Sequence, residues 1–387
     1  MRTAPARDVL RAPYAPAARL GIVRARTAAQ TATAAKVTVR FRTLRLTKLY
    51  PLAISRGVST GSDNLFVEVE DSAGHIGLGE CAPGTGFDDT LAPIAQKQLQ
   101  ALVDSGIRGL SINEVDRKAR ELDVNPSAIA ALDMALWDLL GKKFNMPLYR
   151  VFGLSNRSVP TSVTIGINPP EIVRVRVPEI LSRTGGKYLK IKLGSPNGIE
   201  ADKENYLAAV DCSRPFGIRY RVDANGGWSV DDAKAMMQWL AERDCDYVEQ
   251  PLAKGYEADL PHLYEGRPLP LFADESCHVS SDVPKLAGKV DGVNLKLMKC
   301  GGLTEALRII HTARAHGLQT MIGCMGESSC AISAGAALGE LFDHIDLDSQ
   351  INLNPDPCEG APMVDGVVVP PEKPGHGAWY SGNAYAN

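Results

Sequence analysis

Several common signatures are missing from this 387-residue chain, and each absence narrows what it can be. It has no run of about 18 consecutive apolar residues, the length a helix needs to cross a bilayer. It has no excess of positive charge: 42 Lys and Arg stand against 45 Asp and Glu, a net charge of −3. Proteins that hold nucleic acid or anionic lipid through their overall field need the opposite balance, so neither is expected as a partner. The eight cysteines, spread from Cys81 to Cys358, include no Cys-x-x-Cys pair. That pattern suits neither a disulfide framework nor a thiolate zinc site, and it favours a reducing compartment. None of the seven histidines stands at His-x-His or His-x-x-x-His spacing, which weighs further against zinc. No Gly-x-Gly-x-x-Gly follows a strand and opens a helix, so a dinucleotide-binding sheet is disfavoured.

What is present is an ordinary globular composition, 44% apolar and 22% charged, in a chain long enough for two domains or for one barrel with a cap. Residues 1–36 stand apart: Arg2, Arg7, Arg11, Arg19, Arg24 and Arg26 face a single acid, Asp8, among many alanines and no serine. Such a leader is a disordered extension or an organellar transit peptide, set on an otherwise soluble, cytoplasmic chain. From Val37 the residues alternate as strands do, at 37–44, 65–70 and 75–79, with a turn at Asp71-Ser-Ala-Gly74. A helix follows over 127–143, with Gly141 near its stop, completing an α+β unit. Beyond about Ser158, eight short apolar runs recur, at 161–167, 188–193, 218–222, 246–248, 271–273, 292–297, 319–322 and 344–347. Helical patterns lie between several of them, the clearest at 229–243 and 304–316. Eight strands alternating with helices over roughly 190 residues predict a parallel (β/α) barrel.

Five of these strands end in charge. Lys192, Asp223, Glu249, Asp274 and Lys296 close strands two to six, and the acids are spaced by about one strand-helix repeat. They therefore fall on neighbouring staves at the C-terminal rim, where barrels keep their chemistry. Three carboxylates meeting there need a counter-charge, and oxygen-only ligands favour a hard ion, Mg²⁺, at one per subunit. Lys192 and Lys296 flank the acids on opposed strands. That geometry fits removal of an α-proton on one face of a carboxylate substrate and its return on the other, with the metal stabilising the enediolate. Lys190, pointing the same way as Lys192, could supply the positive field that keeps Lys192 a usable base, and it is grouped with the residues facing substrate.

These motifs, Lys190-Ile-Lys192, Val222-Asp-Ala-Asn-Gly-Gly-Trp228, Val248-Glu-Gln-Pro-Leu252, Ala273-Asp-Glu-Ser276 and Val293-Asn-Leu-Lys-Leu-Met-Lys-Cys-Gly-Gly302, resemble the enolase superfamily in its muconate-lactonising subgroup. The resemblance implies an α/β protein with a (β/α)7β barrel at 156–349 under an α+β capping domain at 37–155 that includes the tail at 350–387. It also implies Asp223, Glu249 and Asp274 as Mg²⁺ ligands, with Lys192 and Lys296 as the acid/base pair. Ile345-Asp-Leu-Asp348 resembles the Asp-x-Asp feature with which dipeptide epimerases bind a substrate ammonium, so Asp346 and Asp348 are expected to clamp the amino end of a dipeptide. The run Ile322-Gly-Cys-Met-Gly-Glu-Ser-Ser329 is similar to the strand-seven segment of those enzymes, with Glu327 as a supporting residue or an ordinary surface acid. An Arg in the cap loop of L-Ala-D/L-Glu epimerases engages the glutamate carboxylate; Arg56 stands in a similar place, and Lys48 is a second candidate. The expectation is thus an isomerase of the L-Ala-D/L-Glu type, a homo-oligomer acting on small dipeptides. Its rivals are an o-succinylbenzoate synthase, an N-succinylamino-acid racemase or a cycloisomerase of the same subgroup, and more remotely a non-catalytic binding barrel.

Overall fold

The computed structural model describes residues 37–83 and 90–382, so the basic leader lies outside the described residues. The chain enters through an antiparallel sheet of β1 (Thr38–Ile54), β2 (Gly57–Glu70) and β3 (Ile76–Cys81). The alternation at 37–44 marks only the start of β1, which runs on to a hairpin tip at Ser55 and Arg56. The Gly- and Ser-rich stretch at 57–63 carries no register of its own. Pairing with β1 supplies one, setting Ser62 opposite Leu46 and Asp63 opposite Arg45. The expected turn follows β2, with Asp71 N donating to His75 O at 3.0 Å and Gly74 at φ +84°.

Helices α1 (Leu91–Asp104), α2 (Ile112–Glu121) and α3 (Pro126–Lys143) cover this sheet. A capping box starts α2: Ser111 Oγ accepts from Glu114 N while the Glu114 carboxylate accepts from Ser111 N. Asn125 caps α3 and Pro126 occupies its first turn, where a missing N–H costs nothing. The expected stop near Gly141 is found, α3 ending at Lys143. Gly141 is also a contact point, since a Cβ there would lie 2.7 Å from Gly375 Cα in the C-terminal tail. α3 also lies close on β3: a Cβ on Gly79 would meet Ala131 O at 1.9 Å.

After α4 (Leu148–Val151) come the eight staves: β4 (Ser162–Ile165), β5 (Tyr188–Lys192), β6 (Arg219–Asp223), β7 (Cys245–Glu249), β8 (Leu271–Ala273), β9 (Gly292–Lys296), β10 (Gln319–Gly323) and β11 (His344–Asp346). They are parallel and in sequence order, and a parallel bridge between Thr161 and Ile345 closes the circle. Each strand expected from the sequence is present, with small shifts at its ends. Around them lie α5 (Pro170–Thr184), α6 (Ile199–Ser213), α7 (Val230–Ala241), α8 (Pro261–Tyr264), α9 (Val283–Leu286), α10 (Leu297–Cys300), α11 (Leu303–Ala315) and α12 (Ser329–Ala336). Ser229 caps α7, accepting from Asp232 N. The main core lies between staves and helices, where Leu189, Val222, Val248, Leu295 and Ile322 meet Val177, Leu240 and Ile309. Because side chains alternate along a strand, the residues between these apolar ones point into the barrel, and Lys190 and Lys192 are two of them. The tail returns to the first sheet: Asn354 N donates to Thr47 O at 2.9 Å, and Lys48 bridges to Leu353. Among the described residues, no helix is long and apolar enough to cross a membrane.

Candidate active site

Strand register assembles the charged rim. Lys192 pairs with Asp223 and Asp223 with Glu249 at the ends of β5, β6 and β7, while Lys296 and Asp346 both pair with Gly323 at the end of β10. Asp274 follows β8 directly. Carboxylate oxygens of Asp223, Glu249 and Asp274 lie within 4.8 Å of one another, and all three side chains are fully buried.

Burial alone would force protons onto such a cluster. Asp223 resists: burial raises its pKa, but the ammoniums of Lys192 and Lys190 outweigh this and hold it at about 2. Asp274 behaves likewise, burial being overcome by Lys296 and Lys299, so that it stays well below the usual carboxylate range. Glu249 takes the cost, pushed up to about 8 by burial and by the charge of Asp223. Glu249 Oε2 and Asp274 Oδ2 stand within ion-pair distance of lysines yet accept no well-directed hydrogen bond. Three crowded acids with two such oxygens and no nitrogen or sulfur donor among them fit a hard divalent cation.

The two lysines of the expected acid/base pair line one cleft, walled also by Leu52, Ile54, Cys324 and Met325. Lys192 Nζ is 2.6 Å from Asp223 Oδ2 and Lys296 Nζ 2.8 Å from Asp274 Oδ2, so each reaches the acid cluster from its own side. A second cleft adjoins it, sharing Lys48, Leu52, Lys192, Cys324 and Met325, and contains Asp346 and Asp348 together with Ile165, Ile180 and Ile351.

The acids of the expected ammonium clamp are held differently. Asp348 Oδ2 accepts from Thr164 N at 2.7 Å, and its pKa is pushed up to about 6 by burial and by Asp346. Asp346 Oδ2 lies 2.6 Å from Lys190 Nζ. Lys190 itself differs from the expectation of a residue facing substrate. It is fully buried, and its ammonium is taken up by Asp346, by Glu249 at 2.7 Å and by Asp223 at 3.4 Å rather than aimed at Lys192. Two residues below the rim on an inward-facing strand, it sits one layer deeper in the barrel. Arg56, at the hairpin tip, is also engaged: its Nη1 is 2.5 Å from Glu275 Oε1 and donates to Asn225 O at 3.1 Å. Lys48 lines both clefts, and desolvation lowers its pKa. Glu327 is buried rather than a surface acid, accepts from Met325 N, and is pushed up to about 8 by burial and by Glu80.

Two supporting residues escaped the sequence reading. Asn294 donates to Glu249 Oε1 at 2.8 Å; the signal was available, since 294 and 296 share a strand face as 190 and 192 do. Lys299 pairs with Asp274 Oδ1 and also donates to the carbonyls of Cys277 and Asn294, at 3.1 and 3.0 Å. It comes from α10, a single turn that no periodicity reveals. Glu80 on β3 accepts from Asn64 Nδ2 and Ser328 Oγ, both at 2.7 Å, tying the first sheet to the loop after β10 that carries Cys324 and Met325.

Comparison with known proteins agrees with this geometry. Residues 34–153 match the N-terminal domain of the mandelate racemase / muconate lactonizing enzyme family, and 173–382 match the enolase C-terminal domain-like family. A hydrophobic dipeptide epimerase of a Flavobacteria bacterium is 55% identical over 346 residues, covering 89% of this chain and 99% of that one. One from Roseobacter litoralis is 54% identical, over 88% and 98% of the two chains. The crystal structure of a dipeptide epimerase from Enterococcus faecalis, complexed with Mg and L-Leu-L-Tyr, superposes with a TM-score of 0.81 at 32% identity, covering 89% of this chain and 98% of that one. Barrel, rim and sequence together place this chain in the enolase superfamily, among the dipeptide epimerases of the mandelate racemase / muconate lactonizing enzyme family.

Proposed function

We propose that the protein epimerises dipeptides with neutral, mainly apolar side chains by two-base 1,1-proton transfer at the α-carbon of the C-terminal residue. The observation that carries this reading is the cleft that holds Lys192 and Lys296 together, each lysine reaching the acid cluster from its own side. Mg²⁺ held by Asp223, Glu249 and Asp274 would supply the positive charge that offsets negative charge growing on the substrate carboxylate. Asp348, with Asp346 behind it, receives the ammonium, which sets the amino-terminal residue in the cleft of Ile165, Ile180 and Ile351 and leaves the second residue between the lysines. One lysine removes the α-proton; the other returns a proton to the opposite face, and their roles exchange for the other epimer. An acidic pair at the amino end also disfavours the rivals that act on succinylated or amine-free substrates, whose carboxylates it would repel.

The narrower L-Ala-D/L-Glu preference rested on Arg56, whose charge Glu275 already meets. The names of the two relatives above 50% identity favour apolar dipeptides instead, and Leu52, Ile54 and Met325 offer apolar surface beside the lysines. The test is proton NMR in D₂O with Mg²⁺ and a dipeptide panel. Leu- and Tyr-containing dipeptides should lose the α-hydrogen of the second residue and invert there, faster than L-Ala-L-Glu does. Lys192→Ala and Lys296→Ala should each lower the rate by roughly 10³-fold. Neither exchange nor inversion with any dipeptide would end the proposal.

A further inference from the structure

Lys190 belongs to two sites at once. Its single charge sits 2.7 Å from Glu249 Oε2 and 3.4 Å from Asp223 Oδ2 in the acid cluster, and 2.6 Å from Asp346 Oδ2 in the ammonium clamp. The Lys190, Asp223 and Glu249 side chains are fully buried, so solvent screens their contacts little, while Asp346 borders the cleft. Asp348 is arranged otherwise: its oxygens go to Thr164 N and to Cys324 Sγ, at 2.7 and 3.6 Å. The two acids of the pair, alike in sequence, thus have unlike connections.

We infer that Asp346 is a positioning residue for the metal centre, acting through Lys190, so that metal affinity and recognition of the substrate's amino end are linked. This rests on the metal and clamp assignments proposed above. The physical reason is a division of charge. While Asp346 holds part of the Lys190 ammonium, Asp223 and Glu249 keep negative charge for a cation. With Asp346 neutralised, the whole ammonium faces those two acids and competes with the cation for them. By linkage, an ammonium received at Asp348 beside Asp346 draws on the same balance, and the metal reports it.

The test is Mg²⁺ binding to the whole protein, measured by calorimetry with no dipeptide present, for the wild type and for Asp346→Asn and Asp348→Asn. Each variant removes one carboxylate, Asp346 at the end of β11 or Asp348 two residues beyond it, and the Lys190→Gln background separates the relay from the loss of field. Asp346→Asn should weaken Mg²⁺ binding by roughly 5- to 50-fold, and Asp348→Asn by clearly less. In a Lys190→Gln background the two substitutions should become equivalent, because the relay is gone. Asp346→Ser serves the same comparison if the amide is not tolerated. Equal effects of the two variants in the native background would overturn the relay while leaving the proposed activity standing. A wild type that binds no Mg²⁺ would overturn both.

Discussion

At the scale of single residues, the rim shows how lysines offset buried acids: Asp223 and Asp274 stay ionised, while Glu249 takes the cost of the crowding. Each acid of the cluster meets a lysine: Asp223 has Lys192, Asp274 has Lys296 and Lys299, and Glu249 shares Lys190 with Asp223 and Asp346. Pairing of this kind offsets desolvation only when each partner is present, and removing one leaves a bare buried charge. Lys299→Met should therefore cost about 3–5 kcal/mol of stability, read from chemical denaturation in the absence of metal. An unchanged denaturation midpoint would show that Lys296 alone suffices for Asp274. Asp223, Glu249, Asp274 and the two flanking lysines were legible because polar residues at the ends of apolar strands stand out against their surroundings. Lys190 was visible as well, but not its burial. Alternation says which way a strand residue points, not how deep the barrel is at that level.

At the scale of elements, one contact packs the helices on the first sheet and another joins them to the barrel. One is the close approach of α3 to β3, where a methyl group at residue 79 has no room against Ala131 O. Gly79→Ala should destabilise the protein by about 1–3 kcal/mol and lower its melting temperature, since backbone rather than a movable side chain stands in the way. The other is the start of α11, where Asp133 of α3 accepts from Thr304 N at 3.0 Å and from Thr304 Oγ1. The helices at 127–143, 229–243 and 304–316 could be read from their periodicity. The cap that α11 receives from α3 could not, because its donor and acceptor lie 171 residues apart. The hairpin tip bearing Arg56 is a similar case: its neighbours in sequence say nothing of Glu275, 219 residues away.

At the scale of the whole molecule, burial of carboxyls at the junction of sheet and barrel sets a pH dependence. Glu80 and Asp133 are both pushed up to about 7, first by burial, against the hydrogen bonds they accept. In the unfolded chain such groups release their protons near pH 4, so between about pH 4 and 7 the folded form binds more protons. The stability they contribute is complete below the unfolded pKa and is lost as pH rises through the folded value. Denaturation midpoints should fall from pH 5 to pH 8, and Asp133→Asn, which can keep both hydrogen bonds to Thr304, should flatten that slope. A slope unaltered by the substitution would place the effect elsewhere. The sequence by itself determined the number of staves, their order and which of them end in charge, since the periodicity and punctuation that encode these act over a few residues at a time. Only closure of the barrel decided which charges meet. Lys190 joins the clamp to the acid cluster, and Glu275 reaches Arg56, across distances in the chain that no local pattern spans, through a dry interior where one misplaced ion is too costly to leave unpaired.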